Sequence, residues 1–165
     1  MKLVTLLSAA ALMTTTLIAG DYDALGKAMR SAWPQVGTVA VVCDSANNKS
    51  ALDAIASALP GLKVVVVDVK GPQDMGKALS TLTSRHPDAV VLVASDKIAG
   101  DGTSAAAFLI QRMAAAKVPT VATTEAAVRQ GAVLGMGHGT GGKLLANAKV
   151  AGVAGVTVPA GAREI

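Results

Sequence analysis

A chain of 165 residues has the length of one domain, and with 52% hydrophobic and 16% charged residues it is too apolar to be intrinsically disordered. The 15 Lys and Arg against 11 Asp and Glu leave a balance of +4, spread along the chain, and Tyr22, Trp33 and Phe108 are its only aromatics; this argues against a nucleic-acid partner and excludes base-stacking platforms. The single cysteine, Cys43, excludes an intramolecular disulfide and a thiolate metal cluster, so the core has to be built from Val, Ala, Leu and Ile.

Residues 1–20, MKLVTLLSAAALMTTTLIAG, combine a basic Lys2, an apolar run and small closing residues before Asp21. This is the layout of a cleaved export signal, with an uncleaved membrane anchor as the alternative. Residues 21–36 then place Leu25, Met29 and Trp33 at helical spacing, and Pro34 limits that helix. The β-branched run 38–43 (TVAVVC) predicts a strand covered on both faces, with Cys43 buried at its end. Residues 49–59 carry Leu52, Ile55, Ala56 and Leu59 on one helical face before Pro60-Gly61. A strand over 62–67, a helix over 73–85 and a strand over 89–94 follow. Next come a polar loop over 95–103, a helix over 104–117, a strand over 118–122 and a short helix over 124–130. A strand over 132–136, a helix over 142–150 and a last strand over 153–158 complete the reading.

Strands that alternate with helices imply right-handed crossovers and a parallel sheet. The expected fold is therefore a three-layer α/β/α sandwich with a mainly parallel sheet of five to six strands, formed by residues 21–165 as one lobe. An eight-unit barrel needs about 250 residues and is excluded by length. No internal repeat or long linker interrupts the pattern.

In an open parallel sheet, ligands bind outside the carboxyl ends of the strands. The loops at that edge carry Ser45, Asn47, Ser95, Asp96, Thr123, Thr124 and His138, small polar groups that cap helices and can also face a ligand. Ser45, Asn47 and Thr124 are expected to donate to a carboxylate, and Asp96 to accept from an amine. Residues 137–142 (GHGTGG) match G-x-G-x-x-G, between an expected strand and an expected helix, but at the last βα unit and not the first. His86 and His138 fall at opposite edges of the sheet, so they do not form a joint metal site. Ser45 and Ser95 lack a G-x-S-x-G setting and Cys43 lacks a histidine partner, so no catalytic residue, cofactor or metal is expected. Asp96 and Asp101 flank Lys97 and are expected to pair with it and with solvent.

Three stretches, VPTVATTEAAVRQGAVLGMGHGTGGKLLANAKVAG (118–152), TVAVVCDSANNKSALDAI (38–55) and PDAVVLVASDKIAG (87–100), resemble the C-terminal lobe of the type I substrate-binding proteins of ABC transporters. Pro119, Thr123, Glu125, Gly131, Ala132 and Gly142 sit where that pattern has them. The loop at 137–141 departs from it, with Gly and His in place of an aromatic pair. The resemblance implies a periplasmic or secreted, non-catalytic protein that binds a small amino-acid-like solute. Its implied partners are an ABC permease and a second copy or partner lobe that completes the site. The alternatives are an interaction module derived from such a lobe, without ligand binding, and a flavodoxin-like enzyme using the Gly-rich loop.

Overall fold

The structure is a computed structural model that describes residues 12–137 and 142–165, with side chains from residue 21 onward. Helix α1 (Leu12–Ala32) leads into strand β1 (Thr38–Cys43), helix α2 (Lys49–Ala58) and strand β2 (Lys63–Asp68). A single 3-10 turn (Pro72–Asp74) opens helix α3 (Met75–Arg85), followed by β3 (Ala89–Leu92), α4 (Ser104–Ala115), β4 (Thr120–Val121) and α5 (Glu125–Arg129). The chain ends with β5 (Leu134–Met136), β6 (Leu144–Ala146), α6 (Ala148–Ala154) and β7 (Arg163–Glu164). No helix among the described residues is long and apolar enough to cross a membrane.

The seven strands form one sheet in the order β2-β1-β3-β4-β5-β6-β7. Strands β1 to β5 are parallel, and β6 runs antiparallel to β5. The alternation of side chains along β1 divides the core in two. Val39, Val41 and Cys43 pack under α1 and α2 with Leu25, Met29, Trp33 and Ile55. Ala40 and Val42 pack under α3 and α4 with Leu82, Leu109, Ile110 and Met113. The result is the expected three-layer sandwich. Cys43 is fully buried, and desolvation, reinforced by nearby Asp96, pushes its thiol up to about 12.

Two expectations fail near the C-terminus, and the sheet has seven strands where five to six were expected. The helix read over 142–150 is instead strand β6 followed by the start of α6, and the strand read over 153–158 lies partly within α6. Register explains the first: Leu144, Leu145 and Ala146 pair with Met136, Gly135 and Leu134, which buries two adjacent apolar residues in the sheet. Asn147 then caps α6 by accepting from the Val150 amide at 3.1 Å. The G-x-G-x-x-G match consequently joins two antiparallel strands, with the Gly137 amide donating to the Lys143 carbonyl at 2.8 Å, and precedes no helix. The local context that a dinucleotide loop needs is missing.

Helix α1 crosses the C-terminal end of α2 at a small-residue contact. A Cβ at Gly26 would overlap the Ala58 carbonyl oxygen, a backbone atom fixed by the end of α2. Arg30 donates to the same carbonyl at 2.6 Å. Gly26→Ala is therefore expected to destabilise the fold by about 1–3 kcal/mol, despite the better helix propensity of alanine. Thermal unfolding followed by circular dichroism checks this.

Candidate functional site

Strand β1 lies inside the sheet, with β2 on one side and β3 on the other. Helices α2 and α4, which follow β1 and β3, lie on opposite faces, so the loops after these two strands diverge. This is the topological switch point, where open α/β sheets hold ligands. A cleft of about 470 Å³ opens there, lined by Asp44, Asn47, Asn48, Ser95, Asp96, Lys97 and Ile98.

Asp96 organises the cleft. It is only 4% exposed, and its carboxylate accepts from both loops. One oxygen takes the Asp44 amide at 2.8 Å and the Asn48 side-chain amide at 2.7 Å. The other takes the Ile98 amide at 2.9 Å and the Ala99 amide. Burying a carboxylate is costly unless its lone pairs are filled, and here four donors fill them. The expectation that Asp96 accepts from a ligand amine meets a carboxylate already occupied by the protein. Nor does Asp96 pair with the adjacent Lys97, which is exposed and makes no ion pair among the described residues.

Asn48 completes the link. Its side-chain amide also donates to the Asp44 carbonyl at 3.0 Å, and its oxygen accepts from the Ser95 hydroxyl at 2.9 Å. Asn48 stands at the N-cap of α2 but makes no side-chain cap there, so the first amides of that helix receive none from it. A second group lies beside the cleft. Lys70 bridges Asp44 at 2.6 Å and Asp68 at 3.1 Å. The Ser45 hydroxyl and amide donate to Asp68 at 2.7 and 2.9 Å, and Asn47 donates to Asp44. The Lys70 ammonium and the Asn47 amide hold the Asp44 carboxyl below the ordinary carboxylate range; the Ser45 donors, then Lys70, do the same for Asp68.

The expected site residues therefore fall into two groups. Asn47, Ser95 and Asp96 line the cleft, with Ser45 behind them on Asp68. Thr123 and Thr124 lie apart, after β4. Thr123 is buried and donates its amide and hydroxyl to Asp101 at 2.8 and 2.9 Å, while the Thr124 hydroxyl caps α5 by accepting from the Ala127 amide at 3.3 Å. His138 lies outside the described residues. His86 closes α3 as an exposed residue at the opposite edge.

Asp44, Asn48 and Asp68 stand in loops that the sequence places at the binding edge but were not among the expected site residues, and Asp101, expected to pair with Lys97 and solvent, bonds to Thr123 instead. The place of Asp44 straight after β1 and of Asp68 at the end of β2 was the available signal, whereas Asn48 and Asp101 sit farther along their loops. Tyr22 was also missed: its hydroxyl donates to the Leu92 carbonyl at 3.3 Å and accepts from the Ala94 amide at 3.1 Å, tying α1 to the end of β3. No group of three or more His, Cys, Asp or Glu placed to hold a metal occurs among the described residues.

With this geometry in place, comparison with solved structures defines the fold. The chain is similar to the ABC domain of Streptococcus pneumonia in complex with L-Trp, with a TM-score of 0.71 and 17% identity over 90% of this chain and 62% of that one. It is similar to a conserved domain protein from Vibrio cholerae O1 biovar El Tor, with a TM-score of 0.72 and 19% identity over 87% and 59%. A substrate-binding protein with adhesive properties from Clostridium difficile, in its ligand-free, open structure, gives 0.68 and 16% over 84% and 57%. The chain has the fold of a single lobe of a type I-like periplasmic solute-binding protein. It spans 57–62% of the length of these three structures. No protein-family model matches the sequence, and a search of curated proteins finds no significant match.

Two predictions follow from the hydrogen bonding. Asp96→Asn sets an amide N–H₂ against amide donors and is expected to cost about 2–3 kcal/mol, read as a lower urea midpoint with an unchanged slope. Asp101 behaves differently. Burial holds its carboxyl above the ordinary value of 3.8, and the Thr123 donors only partly offset this. Its folded form therefore binds a proton more readily than its unfolded form, and its contribution to stability falls as pH rises from 3.8 through the folded value. Asp101→Asn is expected to remove that fall, so the difference in urea midpoint between the two proteins changes as pH rises above 3.8 and levels off once the native carboxyl is ionised.

Proposed function

We propose that this chain is an exported, non-catalytic solute-binding lobe that takes a small amino-acid-like molecule at the switch-point cleft. The cleft itself carries this reading: about 470 Å³ lies within the range of small-molecule sites and is lined by few, fixed polar groups. The uncapped start of α2 offers amide donors and a partial positive charge, and Lys97 at the rim offers a charge without a partner among the described residues. Both suit a carboxylate. Asp44 lines the same cleft, and the carboxylate oxygen that accepts only from Asn47 retains an acceptor position for an ammonium group. Asn47 and Ser95 contact the solute from the two loops. Asp96 and Ser45 act as positioning residues, and Thr123 and Thr124 extend the same edge after β4. Residues 1–20 direct export to the periplasm or beyond, and an ABC permease receives the solute. The neighbour that holds L-Trp supports the ligand class by fold similarity.

A second reading has its own observation. The Ser45, Asn47, Ser95 and Thr123 donors are engaged within the chain, which suits an edge completed by a partner lobe and not by a solute alone.

Isothermal titration of the protein against a panel of amino acids, matched amines and matched carboxylic acids tests the proposal. Saturable binding that requires both charged ends is expected. Lys97→Ala should weaken it by about fivefold to tenfold, equivalent to ~1 kcal/mol for an exposed charge contact. No heat with any amino acid at millimolar concentration overturns solute binding and leaves the partner-lobe reading.

A further inference from the structure

We infer that strand β2 pairs with β2 of a second copy of this chain, antiparallel across a two-fold axis, and joins two sheets into one. The inference concerns a surface away from the switch-point cleft and does not depend on solute binding. Strand β2 (KVVVVD) bonds only to β1, so the backbone N–H and C=O groups of its outer side have no strand among the described residues. Natural edge strands are normally short, charged or covered. This one runs six residues with four consecutive valines, and Val66 is 41% exposed. Charges occur only at its two ends, Lys63 and Asp68.

The groove beside the strand identifies the occupant. It measures about 340 Å³ and runs between β2 and α3, lined by Val66, Asp68, Asp74, Lys77, Thr81 and Arg85 among others. Because α3 returns antiparallel to β2, the acidic residues Asp68 and Asp74 gather at the carboxyl end of the strand and Arg85 with Lys63 at its amino end. Asp68 is held by Ser45 and Lys70, and Asp74 accepts only the Lys70 amide. Lys77 and Arg85 make no ion pair among the described residues. A two-fold rotation normal to the sheet reverses the second copy and brings its Arg85 end to the first copy's Asp74 end, twice, with Lys77 off the axis. Such an interface is self-complementary, as a two-fold contact has to be. The same rotation keeps each sheet face continuous only if the axis passes beside one residue, so that Val65 or Val66 faces itself. A segment of another protein could also add to the edge, but the mirrored charges of the groove favour a second copy.

Sedimentation velocity of the full chain over a range of concentrations tests this. A reversible dimer is expected. Val66→Lys places a charge on the bare edge at an already exposed position, so it should leave the circular dichroism spectrum unchanged and give a monomer. Arg85→Asp and Asp74→Arg should each weaken the dimer by more than about tenfold, because each change enters the interface twice, and the double swap should restore it. All variants keep residues 1–20, so association through that segment would survive every substitution. A monomer at all concentrations, or a dimer indifferent to Val66→Lys, overturns the inference; a double swap that stays monomeric overturns the antiparallel arrangement.

Discussion

The carboxyl edge of this sheet depends on one buried carboxylate. Asp96 accepts from the loop after β1 through the Asp44 amide and Asn48 side chain, and from its own loop through the Ile98 and Ala99 amides. The two loops part at the switch point because their helices leave on opposite faces of the sheet. Nothing in the strand ladder holds them together beyond Cys43 and Leu92, so a polar link has to do so. A neutral side chain would have too few acceptor positions for four donors. The shape of the cleft is therefore set by an interaction beneath it.

That arrangement changes what the surrounding hydroxyls and amides do. Ser45, Asn47 and Thr123 each donate to a neighbouring aspartate, and Ser95 donates to Asn48. Thr123 is buried and Ser45 half-buried, and such groups find partners within the chain because leaving them unpaired is costly; the exposed Asn47 and Ser95 are engaged within the chain as well. On the proposed reading, capacity for a solute resides in the groups left over: the uncapped amides at the start of α2, the Lys97 ammonium and the one open acceptor position of Asp44, whose carboxylate already accepts from Lys70, Ala46 and Asn47. The cleft reads as a fixed frame with a few available contacts, which is how small-molecule sites are commonly built.

Much of the fold was legible in the chain. The runs 38–43 and 89–94 and the helical faces of 49–59 and 104–117 announce themselves by period and by β-branched composition, and the structure has elements at each. The C-terminal segment was not legible, since Leu144-Leu145 fits a helical stripe and a buried strand equally well. Only pairing with β5 decides between them. Likewise, the valine run of β2 marks a strand but not its place at the rim of the sheet, since periodicity carries no information about which neighbour is missing.

For the site, the sequence determined which residues gather at one edge of the sheet, because a parallel βα alternation sends every loop after a strand to the same side. Ser45, Asn47, Ser95, Asp96, Thr123 and Thr124 follow from that rule alone. Which of them face a cavity and which hold the frame was decided by tertiary structure. The separation of Thr123 and Thr124 from the cleft, the pairing of Asp101 with Thr123 and the fourfold occupation of Asp96 arise from distances between loops far apart in the chain. Hydrogen-bond partners are chosen by proximity and desolvation in three dimensions, and a linear pattern does not encode them.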